Sequence, residues 1–179
     1  MNRVFRIQPQ ALRWLVVLSV LLALGTTPVR ADALVYYNFT VNNSGDIGGL
    51  SASCLTGGSC DLRSALQYAL DHPENGYAIS FASDMQIDLT SSLPQLAPTT
   101  NQLLINGQGH VIKINGQNTV ANIFKINGNN VGILGLRVYG SGTLYSNIWI
   151  SGTSKNAILA NNVIGDSDPS DTCTDGSHS

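Results

Sequence analysis

Four side chains could attack an acidic sugar chain if folding brought them together. Asp84 and Asp88 lie two pleats apart on one face of a predicted strand, and Lys113 and Arg137 are the nearest candidate bases. Eliminative cleavage beside a uronate needs carboxylates to hold a cation and a basic group to take the proton. No spacing links the four, and solvated charges on an outer face account for them without chemistry. No catalytic residue is therefore assigned. Trp149, Tyr145 and Tyr139 are the candidates for carbohydrate contact, because an outward aromatic ring can stack on the apolar face of a sugar. The competing reading is rings covered by a loop or a partner. Asp166, Asp168 and Asp171, with Asp175 beyond them, crowd one polar stretch. As oxygen ligands they would suit calcium, the one cofactor the sequence allows, although their spacing is not that of an EF-hand loop. A plain Asp/Ser/Pro turn explains them as well. His72, His110 and His178 have no convincing Ser or Cys nucleophile beside them.

These residues sit on a repeat. Asn122–Gly128 (NIFKING) recurs as Ser146–Gly152 (SNIWISG), 24 residues on for Phe124 and Ile148. Gly132–Val138 recurs as Ala157–Val163, 25 residues on for Ile133 and Ile158. Ile112–Gly116 echoes Phe124–Gly128. Short β-branched strands punctuated by Asn and Gly, with a period in the twenties, signal a β-solenoid. Alternation points Ile112, Ile114, Phe124, Ile126, Ile148 and Ile150 inward, and Lys113, Lys125 and Trp149 outward at equivalent positions. Gly107, Gly116, Gly128, Gly140, Gly152 and Gly165 are expected at turns with positive φ. The same alignment expects Asn161 inside, bonding backbone carbonyls at a corner.

The first 33 of the 179 residues read as a signal peptide: Arg3, Arg6 and Arg13, then an uncharged run from Trp14 to Leu24, then small residues at Ala31–Ala33. The run is too short for the about 20 residues that a spanning helix needs, so no membrane span is expected after its removal. Removal takes four of nine basic residues and one of eleven acids, leaving five against ten. An acidic mature chain without a basic patch excludes nucleic acid as a partner. Export also favours a disulfide between Cys54 and Cys60 over a metal site. Cys173 is left over, either as a free thiol or with a partner beyond Ser179 on a longer parent chain.

Val35–Val41 alternates as a strand, Asn42–Gly58 reads as a loop, and Asp61 can cap a helix. Leu62, Ala65, Leu66, Ala69 and Leu70 give that helix one apolar stripe, and Asp71-His72-Pro73 stops it. A short amphipathic helix ahead of a solenoid can cover its open first coil.

The strand Phe39–Val41, the paired-cysteine loop and Cys60-Asp-Leu-Arg-Ser-Ala65 resemble the CSLREA domain. The motif matches at Cys60, Leu62, Arg63 and Ala65, and departs at Asp61 and Ser64, where Ser or Thr and then Glu are usual. Ser64 thereby loses any carboxylate partner that Glu would provide. The resemblance, over about residues 35–165, implies the cap of a right-handed parallel β-helix of the pectin-lyase-like kind. Such β-helices serve as surface proteins, adhesin-like stalks, lyases and glycosidases, so the fold leaves the function open.

The expected chain is mainly β: a signal peptide (1–33), a cap (34–76), parallel β-helix rungs (77–165), about four in number, and a polar tail (166–179) that starts a missing rung. The expected function is a secreted or cell-surface structural, adhesin-like module that contacts a polysaccharide or cell-surface glycan. The alternative is the N-terminal part of a polysaccharide lyase or glycoside hydrolase, or a spacer without ligand. Further rungs of a longer parent chain are the other expected partner.

Overall fold

The computed structural model describes residues 35–97 and 101–165. The chain is mainly β, with parallel strands stacked as a solenoid of about three turns and two short helices. Sheet A stacks β1 (Tyr36–Val41), β2 (Gly76–Phe81), β4 (Leu103–Asn106), β7 (Val131–Leu134) and β10 (Ile158–Ala160). Sheet B stacks β3 (Met85–Asp88), β5 (Ile112–Val120), β8 (Leu136–Ser141) and β11 (Val163–Gly165). Sheet C pairs β6 (Phe124–Ile126) with β9 (Ile148–Ile150), and Leu96 bridges to Ile126. Every strand pair is parallel, the coils β4–β6 and β7–β9 each give one strand to all three sheets, and the inward rows form one continuous core.

The rows are columns of like residues. Phe39, Ile79, Ile105 and Ile133 stack inside sheet A, and Ile87, Ile114 and Val138 inside sheet B. Phe124–Ile148 pairs with the 24-residue spacing read from sequence. The 25-residue alignment is corrected to 26: Ile133 pairs with Leu159, and Ile158 pairs with Gly132. A one-residue slip exchanges the two faces of a strand, so Ile158 points outward. Lys113 and Lys125 are not equivalent either. Lys113 lies on sheet B against Gln86 and Arg137, whereas Lys125 lies on sheet C against Trp149. The echo between their strands links two sides of one coil.

Corners differ from expectation as well. Of the glycines expected with positive φ, Gly140 has it (φ 74), whereas Gly107, Gly116 and Gly152 do not. Gly107 is glycine for room: a Cβ there would lie 2.8 Å from the Gly135 carbonyl oxygen. Left-handed corners fall instead to Gly135 and, one coil on, Asn161, and to Asn130 and Asn156. Asparagine tolerates this conformation better than most side chains. Asn161 is thus the exposed corner. Its neighbour Asn162 makes the inward bonds, donating to the Ile133 carbonyl at 2.8 Å and accepting from the Leu136 N–H at 2.9 Å.

The cap begins between β1 and β2. Residues 42–58, expected as a loop, contain the helix α1 (Ser51–Leu55). It is a single turn tied at Cys54 by the Cys54–Cys60 disulfide. Helix α2 (Leu62–Asp71) starts where Asp61 Oδ1 accepts from the Ser64 N–H at 2.7 Å. Leu62, Ala65, Leu66 and Ala69 are buried against the solenoid core, and α2 touches β1 and β2. Ser64 is buried, and its hydroxyl accepts the Leu50 N–H at 2.9 Å. The Tyr68 ring meets Phe39 edge-on, with centroids 5.4 Å apart. Tyr77 stacks on Phe39 and donates its hydroxyl to the His72 carbonyl, and burial pushes its phenol up to about 12.

One ion pair gathers these loops. Arg63 donates to both carboxylate oxygens of Asp46, at 2.7 and 2.9 Å, and to the carbonyls of Ser91 and Ser92, both at 2.7 Å. Asp46 also accepts from the N–H and hydroxyl of Thr90. The clamp joins the cap loop, α2 and the segment after β3.

At the far end the inward rows are open. Ile150, Leu159 and Ile164 are 42%, 37% and 48% exposed, whereas their partners Ile126, Ile133 and Val138 are all at 0%. The contrast measures what one covering layer does, since a column is buried only with a neighbour on each side.

Burial alone would raise the Asp46 pKa. The Arg63 and Thr90 hydrogen bonds and the Arg63 charge outweigh it and hold the carboxyl below its ordinary 3.8. The clamp's stability is then fully present above pH 3.8 and lost as pH falls through the lower folded-state value. Urea unfolding should show that Asp46→Asn removes this acid sensitivity and costs about 3 kcal/mol at neutral pH. Stability curves of the two proteins that run parallel into acid would contradict the clamp.

Candidate carbohydrate-contact site

Outward side chains fall in columns too, and the columns decide which candidates meet. On sheet C, Lys125 and Trp149 occupy paired positions of β6 and β9. The strands there are three residues long, with one outward position between two inward ones, so each presents one side chain to solvent. Trp149 is 39% exposed, and the Lys125 ammonium lies 5.2 Å from its ring centroid. At that distance the cation is attracted to the ring's electron-rich face. The pair is an aromatic ring with a positive charge over one of its faces.

The other two aromatic candidates lie apart from this pair. Tyr145 is 57% exposed, in the loop between β8 and β9. Its N–H bonds the Gly142 carbonyl and its own carbonyl accepts from the Ser141 hydroxyl, which folds the loop into a turn. Tyr139 stands on the outer side of sheet B, yet is buried to 5% among its neighbours. Its hydroxyl donates to Gln86 Oε1 at 3.3 Å, so its ring is packed rather than presented.

Sheet B gathers the charges that showed no linking pattern in the sequence. Gln86, Lys113 and Arg137 form one outward column, and Asp88, Asn115 and Tyr139 the next. Asp88 Oδ1 accepts from Gln86 Nε2 at 2.9 Å and Asn115 Nδ2 at 2.8 Å. Asp84 is not on this face. It lies at a corner, accepting the Val111 N–H at 2.9 Å, with His110 Nδ1 3.4 Å from the same oxygen. Among the described residues the face therefore carries one carboxylate and two cations. Among the described residues no group of three or more His, Cys, Asp or Glu side chains could hold a metal ion. Asp166, Asp168 and Asp171, the calcium candidates, lie outside the described residues, as do His178 and Cys173. His72 ends α2, with Nδ1 3.0 Å from the Tyr68 carbonyl and its ring stacked on Tyr68.

The sequence places Lys125 and Trp149 outward at equivalent positions, as found, but their contact as one unit was not foreseen. The 24-residue repeat that aligns Phe124 with Ile148 also aligns these two, and that signal was sufficient. No described helix is long and apolar enough to cross a membrane. Comparison with protein-family models and with curated proteins finds no match to this chain.

Trp14 and Trp149 are the two tryptophans. In a Trp14→Phe protein the emission should be that of a solvent-contacting indole, quenched readily by acrylamide. Lys125→Ala should shift that emission and cost about 0.5–1 kcal/mol of stability. A blue-shifted, unquenched emission would place the ring under cover.

Proposed function

We propose that this chain is an exported structural module, adhesin-like, that contacts a polysaccharide or cell-surface glycan through Trp149. The observation that carries the reading is the Trp149–Lys125 pair on sheet C. An indole offers a flat apolar surface to the C–H face of a pyranose, and the neighbouring ammonium favours a sugar that bears a carboxylate. The rigid ladder beneath holds the ring in place, so little ordering is needed on binding. Export is inferred from the N-terminal signal-like segment and is consistent with the Cys54–Cys60 disulfide. The resemblance to a CSLREA cap draws on Arg63, a position that matches the motif and that clamps the cap loop here. A solenoid suits a stalk or scaffold, since binding groups on its sides leave the core undisturbed.

A second reading, the N-terminal part of a lyase or glycoside hydrolase, draws on sheet B, where Asp88, Lys113 and Arg137 share a face. It ranks second because a single carboxylate, already engaged by two amides, is a poor cation holder.

Titrating the Trp14→Phe protein with oligogalacturonate and alginate oligosaccharides tests both. Saturable change in Trp149 emission, with binding lost in Trp149→Ala and weakened about tenfold or less in Lys125→Ala, is the expected result. Binding that survives Trp149→Ala would move the site elsewhere. Calcium-dependent release of unsaturated products, abolished by Arg137→Ala, would establish the enzyme instead.

A further inference from the structure

The outer face of sheet A holds a groove of about 340 Å³ that none of the sequence candidates touches. That is near the low end of the roughly 300–1,000 Å³ typical of ligand pockets. Its floor is glycine. A Cβ on Gly132 would lie 2.8 Å from Leu104 Cδ1, and one on Gly76 would lie 2.5 Å from the Tyr36 ring. Tyr36 walls one end, 48% exposed, with its hydroxyl donating to Gln102 Oε1 at 2.7 Å. Ile158 walls the other, turned outward by the 26-residue register. Along the side, Asn130 and Asn156 repeat the left-handed corner, and Asn156 Nδ2 donates to Asn130 Oδ1 at 2.9 Å.

The lining holds one aromatic ring, two aliphatic residues (Val131 and Ile158), a glycine floor and several amides, with no charged residue. Tyr36 fixes the Gln102 amide by its oxygen, and among the described residues no acceptor takes its Nε2. Asn156 is fixed by its nitrogen, and no described donor reaches its Oδ1. Donor and acceptor are thus both held in place beside an apolar surface. Hydroxyl groups need donors and acceptors together, and the C–H face of a sugar needs the ring. A charged ligand would find no counter-charge in this lining.

We propose that this groove binds an uncharged pyranose unit of a polysaccharide, as a second contact separate from Trp149. The inference deepens the carbohydrate reading and rests on it. The two sites differ in class: sheet C favours a carboxylate-bearing sugar, sheet A a neutral one. Two contacts on different faces of one rigid solenoid would let it bridge two glycan chains.

Calorimetric titration of the full chain with a panel of neutral hexasaccharides (glucans, mannans, galactans) tests the groove. The result expected is binding to at least one of them. Tyr36→Ala should weaken it by roughly tenfold, through loss of the ring and release of Gln102. Gly132→Leu should abolish it by filling the floor, and Trp149→Ala should leave it unchanged. If Gly132→Leu fails to fold, Tyr36→Ala decides alone. Neutral-sugar binding that Trp149→Ala removes and Tyr36→Ala spares would overturn the groove while keeping the carbohydrate reading. No binding across the neutral panel, with oligogalacturonate still bound at Trp149, would overturn the groove only. Silence to both would remove both.

Discussion

The structure depends on burying the first coil, and the Arg63–Asp46 pair is what holds the cover in place. The Asp46 side chain is 2% exposed and that of Arg63 17%. Charges so far from water are costly unless every lone pair and proton is used. Here nearly all are. Asp46 accepts from two Arg63 nitrogens and twice from Thr90, and two further guanidinium protons reach backbone carbonyls. The partners come from three segments far apart in sequence, so the pair closes only when all three are in place. The disulfide and the Asp61 cap act inside the same knot. Asn42 brackets it, accepting from the Cys60 N–H and donating to the Gly58 carbonyl.

Above this knot the solenoid is carried by repetition. Columns of Ile, Leu, Val and Phe need a neighbour above and below, and the parallel register supplies one per coil. The spacing between partners is uneven: 28 residues from Leu103 to Val131, but 24 from Ile112 to Leu136. The corner between β4 and β5 absorbs the difference: nine residues run from Leu103 to Ile112, but five from Val131 to Leu136. The straight columns thus coexist with variable loops, and the loops are where side faces gain their individual chemistry.

This unevenness explains what the sequence could and could not convey. The strands, the capping helix and its stop at His72 were legible, because alternation and capping are local signals. So was the outward place of Trp149. The pairing of Ile133 was not: Ile and Leu both occur at adjacent positions in Ile158-Leu159, and apolar pattern alone cannot choose between them. The left-handed corners passed from Gly to Asn for a similar reason, since either residue tolerates the conformation. The α1 turn rests on Cys54 being tied to Cys60, a constraint that helix propensity does not express. The sites were least legible of all. Asp88, Lys113 and Arg137 become neighbours only when three coils stack. Tyr36, Gln102 and Asn156 belong to a first strand and to two later corners.

Native-state hydrogen exchange on the wild-type chain and on Arg63→Met tests this account most directly. If the clamped cap anchors the stack, the slowest amides lie in β1, β2 and β4, and the fastest strand amides in β9, β10 and β11. Arg63→Met should then speed exchange in all three sheets, since each coil relies on the one beneath it. An increase confined to residues 42–50 and 89–92, with the strands unchanged, would contradict it: the cap would be an appendage, and the solenoid would stand without it.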